Sequence, residues 1–455
     1  MTDMRQHDEA SSEDRPGAPE ADDGSLAPGA GDPVYETGGI RLAALMLGVA
    51  AVGLFFGWGY VWMIIGLVLM IFLHELGHFV TAKWSGMKVT DFFIGFGPRI
   101  WSFQRGETQY GVKAIPAGAF VRIIGMNNLD ETDPADEART YRQQSFPKRL
   151  LVVSAGSIMH FIQAFVLLVI LLTVVGVPGG TLTDEARHDE SWRVGNVEKD
   201  SAAKAAGLRK GDDIVTFDGK PVSTWADVTD QIKAHEVGDH VRFQVVRGGE
   251  TLDLAATLQP RPDDMAGGTP GTPFLGLGAQ YPKETVGLGT ALVQAPQEMG
   301  RYVGNTMGTL AGLFSPSGIS DMADNVSQAH DQGGNSGSSG SAVSNNDDQN
   351  ENRLLSILGV LRLGAAATQE DGVGALLVIF FAMNVFIGIF NMLPLPPLDG
   401  GHAAVAIYER ARSRRNQRYF ADATRLLPVT YAVIMVLVVV AMTALYLDAV
   451  NPVQL

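Results

Sequence analysis

Long apolar segments separated by polar ones are the dominant pattern along the chain. Five blocks approach or exceed the ~20 residues that a membrane-spanning helix needs. They cover residues 41–58, 60–80, 150–177, 374–393 and 426–447. The pattern predicts a polytopic α-helical membrane protein with four or five transmembrane helices. The glycines in GWGY, residues 57–60, leave open whether the first two blocks are one long helix or two spans, and we favour two.

The polar segments predict how the rest of the chain is divided. Residues 1–38 are acidic and contain few large apolar side chains, so we expect a disordered tail. Residues 316–352 are rich in Gly, Ser and Asn, which predicts a flexible linker. The other predicted units are transmembrane helices ending in HELGH (39–83), a loop with a β-hairpin (84–149), a transmembrane helix (150–177), an amphipathic helical segment (283–315), a transmembrane segment with a basic loop (353–425) and a last transmembrane helix (426–447).

Residues 192–282 read as a small α/β module between spans. Short apolar runs such as DIVTFDG and HVRFQVVR alternate with turn residues, and WADVTDQIKAH is a helical stretch. The segment VGNVEKDSAAKAAGLRKGDDIVTFDGKPV resembles the PDZ domains of bacterial proteases. We therefore expect one PDZ-like domain here.

Basic residues predict the orientation of the spans. Lys and Arg are frequent between the second and third blocks and again between the last two blocks. The positive-inside rule makes both loops cytoplasmic. The β-hairpin predicted within 84–149 is then a small membrane-associated β region on the cytoplasmic side, and the PDZ-like domain is extracytoplasmic. The resemblance of residues 192–282 to domains of bacterial proteases implies the bacterial inner membrane as the location.

Composition excludes several classes of chemistry and partner. The chain has 0 cysteines, which removes disulfides, thiolate ligands and cysteine nucleophiles. Its formal net charge of -15 argues against nucleic acid as a partner, because such proteins concentrate positive charge. Membrane lipid is the expected environment.

The motif HELGH, residues 74–78, predicts a metal-dependent hydrolase. Helical spacing places His74 and His78 one turn apart on one face, where both imidazoles can bind one Zn²⁺ ion. Glu75 lies beside them and can act as general base towards a metal-bound water. Ionisable residues inside an apolar helix are costly, so their presence favours a functional role over a chance match.

A third ligand is expected from the fourth block. It ends in NMLPLPPLDGGH, where prolines and glycines interrupt the helix at membrane depth. Irregular backbone at that depth is tolerated only where it faces protein or a watery cavity. Asp399 would complete a site with two histidines and one aspartate, leaving one position open for water.

These motifs together resemble the site-2 protease family of intramembrane zinc metalloproteases, and in particular its single-PDZ actinobacterial members. FFIGFGPRIW, YGVKAIPAGAFVRIIGM and AGSIMHF also have counterparts in that family. The resemblance implies a zinc metalloendopeptidase with ligands His74, His78 and Asp399 and general base Glu75. It also implies that Asn391 helps to hold the substrate backbone.

The resemblance further implies regulated intramembrane proteolysis, with single-span membrane proteins such as anti-sigma factors as substrates. Two positions depart from the usual family pattern, Ser157 and His160. We interpret His160 as a polar contact between spans, since a fourth protein ligand would close the open metal position. His402 is interpreted as a residue that supports the site or the start of a helix.

Two other functions compete with this prediction. A catalytically silent membrane scaffold would use only the PDZ-like domain, but the intact Glu75 and the full ligand set argue against it. A zinc or ion transporter would also place His and Asp inside the membrane. A single compact site without internal repeats fits transport poorly.

Overall fold

The long apolar blocks of the sequence form helices. The computed structural model describes residues 38–126, 130–178, 192–262, 271–313, 315, 316, 318, 320, 356–414 and 417–450. The predicted tail (1–38) and linker (316–352) lie almost entirely outside the described residues. The helices with described bounds are α1 (Gly38–Phe55), α2 (Trp58–Trp84), α3 (Phe146–Ile170), α4 (Ala202–Ala205), α5 (Trp225–Lys233), α6 (Leu288–Leu313), α7 (Ile357–Asp371), α8 (Val373–Asn391), α9 (Asp399–Arg412) and α10 (Ala423–Val450).

Four of the described helices are long and apolar enough to cross a membrane. They are α2, α3 with a π-helical extension over Leu171–Val175, α8, and α10. This confirms the prediction of a polytopic α-helical membrane protein. The segment Met46–Phe55 of α1 is a shorter apolar helix, so its count as a fifth span stays a prediction.

Helix α3 lies at the centre of the helical part. It packs against α2, α6, α8 and α9. One apolar core, which includes Leu168, Leu172, Ala291 and Phe381, joins α3 to α6 and α8. A second core near the other end of α3, which includes Val152, joins it to α2, α9 and the adjacent strands. The residues around the middle of α3 are therefore held on several sides at once.

Two long bent strands come after α2. They are β1 (Val89–Arg105) and β2 (Thr108–Ile123). Residues 91–94 pair with residues 119–122 on one side and with residues 109–112 on the other. The bend is possible because Gly95 and Gly97 have φ of 87° and 81°, a region that other residues rarely adopt. Each strand is thus longer than the short strands that the sequence predicts. Because both strands bend, each contributes two paired segments to the sheet.

The module between α3 and α6 is built on a four-stranded antiparallel sheet with its own apolar core. The sheet order is β6 (Lys220–Pro221), β5 (Asp213–Phe217), β7 (His240–Arg247) and β8 (Glu250–Thr257). Helix α5 begins with a capping box formed by Thr224 and Asp227. The remaining strands are β3 (Val177–Pro178), β4 (Arg193–Val197), β9 (Gln259–Pro260), β10 (Pro273–Phe274), β11 (Leu277–Gln280) and β12 (Lys283–Glu284).

Candidate metal centre

Helix α2 positions two histidines on one face. His74 and His78 are both 8% exposed, and their ring centroids are 4.8 Å apart. The spacing of four residues gives this geometry, since residues i and i+4 lie one above the other on a helix. Helix α2 ends soon afterwards, where Ser85 is followed by Gly86 at φ 81°. The pair therefore lies near one end of a membrane-spanning helix.

Asp399 reaches the same point from the break between α8 and α9. It is the first residue of α9, a position where the helix dipole favours a carboxylate. Gly400 and Gly401 are needed directly after it. A Cβ on Gly400 would lie 2.3 Å from the Leu393 carbonyl oxygen, and one on Gly401 would lie 2.5 Å from the Pro396 nitrogen. The two glycines let the irregular segment fold tightly over the start of α9.

The three side chains converge on one point. The Nε2 atoms of His74 and His78 are 3.2 Å apart. The Asp399 Oδ2 atom lies 3.4 Å from the first of them and 3.3 Å from the second. A tetrahedral zinc ion with bonds near 2.0–2.1 Å places its ligand atoms roughly 3.3 Å apart. The donor atoms thus already have the separations that zinc requires.

The immediate surroundings of these atoms also fit a metal ion. Asp399 Oδ2 is buried and has no hydrogen-bond partner of suitable geometry in the described part of the chain. The Nδ1 atom of His78 donates a hydrogen bond of 2.7 Å to the Val152 carbonyl of α3. That bond fixes the tautomer and leaves the lone pair of Nε2 for a metal, as the hydrogen-bond acceptors of metal-binding histidines commonly do.

Gly156 of α3 lies directly against the imidazole pair. A Cβ at this position would be 2.3 Å from His74 Cε1 and 2.4 Å from His78 Nε2. Real Cβ atoms do not approach other atoms so closely, so only glycine leaves room for both rings. Helix α3 therefore forms one wall of the site through its backbone.

Glu75 is adjacent to His74 and contacts strand β2. The Val121 amide donates a hydrogen bond of 3.1 Å to Glu75 Oε2. Val121 belongs to the segment 119–122, which pairs with residues 91–94. Strand β2 thereby presents a backbone donor to the carboxylate that the sequence predicts as the general base.

Further polar side chains surround the site. His160 Nδ1 donates a hydrogen bond of 2.9 Å to Asn384 Oδ1, and the Asn384 amide donates to the Phe380 carbonyl at 2.8 Å. The His160 ring centroid is 4.9 Å from that of His74. His402 follows Asp399 in the first turn of α9. These contacts agree with the interpretation of His160 as a polar contact between helices.

The structure brings together His74, His78 and Asp399, the three residues predicted as ligands, as one candidate metal-binding group. Asn391 is the last residue of α8 and is partly buried, and its role in substrate binding stays a prediction. Sequence reasoning missed Asn384 and Gly156. A signal for Asn384 existed, because it is a polar residue within an apolar block that predicts a membrane span.

The fold and the site together define a membrane-embedded metallohydrolase. Two imidazoles and a carboxylate, with a glutamate next to the first imidazole, form the ligand and base set of zinc peptidases. The set lies where a membrane-spanning helix meets a break in a second apolar segment.

Comparison with known proteins leads to the same class. The model of Peptidase family M50 matches residues 62–437. Zinc metalloprotease Rip1 of Mycobacterium tuberculosis is 30% identical over 419 residues, which is 87% of this chain and 98% of the relative. Rip1 of Mycolicibacterium smegmatis is 28% identical over 423 residues, covering 88% and 99%. The crystal structure of the PDZ domain of the SdrC-like protein from Listeria monocytogenes is 26% identical over 20% of this chain and 87% of that one, with a TM-score of 0.17.

This chain belongs to peptidase family M50, the site-2 proteases. The predicted family, the predicted enzyme class of zinc metalloprotease and the predicted zinc cofactor are confirmed by these matches. The roles of the individual residues stay predictions, and the geometry described above agrees with them.

Proposed function

We propose that this protein is a zinc-dependent intramembrane endopeptidase that cleaves single-span membrane proteins. The proposal is carried by one observation. Three candidate ligand atoms have the separations that a tetrahedral zinc ion needs, and two of them lie beside Glu75 on α2, a helix that is long and apolar enough to span a membrane. His74, His78 and Asp399 are the proposed ligands, and Glu75 is the proposed general base.

The chemistry follows from these assignments. When bound, zinc supplies a Lewis acid that polarises the scissile carbonyl and makes water more acidic. Glu75 accepts a proton from the water that attacks the carbonyl carbon, and it later delivers this proton to the leaving amine nitrogen. The C–N bond breaks, and the products are a carboxylic acid, which keeps the second proton of the water, and an amine. Asn391 is proposed to steady the substrate backbone.

The segment 119–122 of β2 is the proposed guide for an unwound substrate. A peptide bond in a helix is shielded by the helix's own hydrogen bonds, so the substrate must become extended before it is cut. Within the described residues, segment 119–122 pairs only on the side of residues 91–94, and its Val121 amide points to Glu75 instead. A substrate added to this edge by β-augmentation would pass beside the base.

We propose that the PDZ-like domain acts as a gate on the extracytoplasmic side. It would either capture a newly exposed C-terminus or exclude substrates whose outer domain is still bulky. The metal centre lies near the end of α2 that carries Lys83 in its last turn and is followed by Lys88, which favours a cytoplasmic product. Anti-sigma factors are the proposed substrate class, in keeping with a role in regulated intramembrane proteolysis.

The proposed ligand set can be tested with Asp399→Asn in purified full-length protein. We expect this change to lower bound zinc by at least about tenfold and to abolish cleavage of a single-span reporter, because an amide is a weak zinc ligand. Asp422→Asn is the matched control, since the Asp422 side chain is 52% exposed. Mass spectrometry of the products should locate the cut within the apolar span.

Zinc removal provides a second arm of the same experiment. A chelator should stop cleavage by the wild type, and added zinc should restore it. If the wild type holds zinc but cuts none of several candidate spans, the scaffold function gains support instead. If Asp399→Asn keeps full zinc content, the proposed ligand set is wrong.

A further inference from the structure

A basic cavity lies away from the metal centre, where the start of α3, the end of α9 and the segment before α10 meet. Its volume is about 600 Å³. Ser145 and Phe146 line it at the start of α3, and Tyr419 and Phe420 line it just before α10. None of these residues contributes to the zinc site or to the segment 119–122.

The lining of this cavity is strongly positive. It contains one acidic residue, Glu409, and these five arginines: Arg142, Arg149, Arg410, Arg414 and Arg418. Two of them have carboxylate partners. Arg142 binds Glu137 through contacts of 2.9 and 2.5 Å, and Arg149 lies 2.6 Å from Glu409. The buried Nε of Arg149 has no hydrogen-bond acceptor among the described residues.

The other three arginines have no such partner among the described residues. In the described part of the chain, no carboxylate lies within ion-pair distance of Arg410, Arg414 or Arg418. Arg418 donates a hydrogen bond of 3.0 Å to the Gln143 carbonyl, which is a neutral acceptor. Three guanidinium groups around one cavity repel each other unless an anion lies between them, and guanidinium binds phosphate in bidentate fashion.

The depth of the cavity indicates the source of that anion. The candidate spans of α3 and α10 begin at Phe146 and Ala423, so the cavity lies at the polar ends of two spanning helices. Tyr419 is 36% exposed and is of a residue type enriched at membrane interfaces, and the adjacent Phe420 is equally exposed. Lipid phosphates lie at this level of a bilayer, just outside the hydrocarbon core.

We propose that this cavity binds the headgroup phosphate of an anionic phospholipid. Arg410, Arg414 and Arg418 supply positive charge, and the N-terminus of α3, where the Ser145 side chain makes no capping hydrogen bond, adds partial positive charge. Basic pockets between helices at the cytoplasmic surface are known to select anionic headgroups over zwitterionic ones. The bound lipid would hold α3, α9 and α10 together at this end.

The test measures lipid binding to full-length protein in detergent by native mass spectrometry, with dioctanoyl-phosphatidylglycerol as the probe. Arg410→Gln combined with Arg414→Gln should weaken binding about thirtyfold, since each arginine near a lipid surface contributes on the order of 1 kcal/mol. The control pair Arg105→Gln and Arg425→Gln removes the same charge outside the cavity and should change binding less than about threefold. Arg410→Lys with Arg414→Lys should retain most of the binding.

The remaining arms separate the other sources of an anion. Dioctanoyl-phosphatidylcholine and inorganic phosphate should not compete with the anionic lipid. The proposal is wrong if the double glutamine variant binds the lipid like the wild type, or if inorganic phosphate competes equally well. It is also wrong if the double glutamine variant loses binding of an acidic peptide but keeps binding of the lipid. None of these readouts depends on protease activity.

Discussion

At the scale of single residues, Gly156 shows how closely the proposed zinc site is packed. Replacement by Ala would place a methyl group 2.3–2.5 Å from the His74 and His78 rings, so the rings must move. We expect Gly156→Ala to lower bound zinc and cleavage by at least about tenfold. Gly300→Ala in α6 is the control, because a Cβ there meets nothing within 4 Å. Zinc per protein is measured by atomic emission, and equal values for the two variants would contradict this account.

The convergence of the three proposed ligand residues could be predicted from the sequence, because their spacing and position are those that a zinc site needs. His74 and His78 are four residues apart in one helix, and Asp399 lies in a helix break that needs a functional reason. Gly156 and Asn384 could not be assigned in this way. Their roles depend on how α3 and α8 pack against α2, and the distances between these helices cannot be read from a sequence.

At the scale of structural elements, the ion pair between the buried Asp212 and Arg247 is expected to stabilise the PDZ-like domain. Asp212 is 1% exposed and accepts hydrogen bonds of 2.7 Å from Arg247 and of 2.8 Å from the Arg209 amide. Burial acts to raise the pKa of Asp212, but these hydrogen bonds outweigh it and hold the pKa below its ordinary value of 3.8. The pair therefore stabilises the domain at pH values above 3.8, and this stabilisation is lost as the pH falls through the lower folded-state pKa.

Asp212→Asn should accordingly speed amide hydrogen exchange in β5 about tenfold at neutral pH, because a charged hydrogen-bonded pair is lost. The difference from the wild type should shrink as the pH falls below 3.8. Asp230→Asn is the control, since its pair with Lys233 has both side chains at least 75% exposed. An equal effect of both substitutions would show that the buried pair has no special role.

The strands after α2 were predictable only in part. Alternating apolar residues and glycines predict short strands, and strands form there. The double pairing of residues 91–94 was not predictable, because it depends on the bend at Gly95 and Gly97 and on packing against α2. The contact between Val121 and Glu75 follows from that bend.

At the scale of the whole molecule, the orientation in the membrane can be tested directly because the chain has 0 cysteines. Glu250→Cys introduces a thiol at the start of β8 in the PDZ-like domain, and Gln104→Cys introduces one near the end of β1. In intact bacterial cells, a membrane-impermeant maleimide should label the first variant and should label the second only after permeabilisation. The opposite pattern would invert the proposed topology and place the cleaved product outside.

The central claim is that Glu75 acts as the general base of a zinc peptidase, and Glu75→Gln tests it most directly. Zinc content and cleavage of a single-span reporter are measured on the same purified full-length samples. We expect the variant to keep the wild-type zinc content and to lose cleavage by at least about a hundredfold, because an amide cannot accept the proton of the attacking water. A variant that keeps its zinc and still cleaves at the wild-type rate would contradict the proposed mechanism.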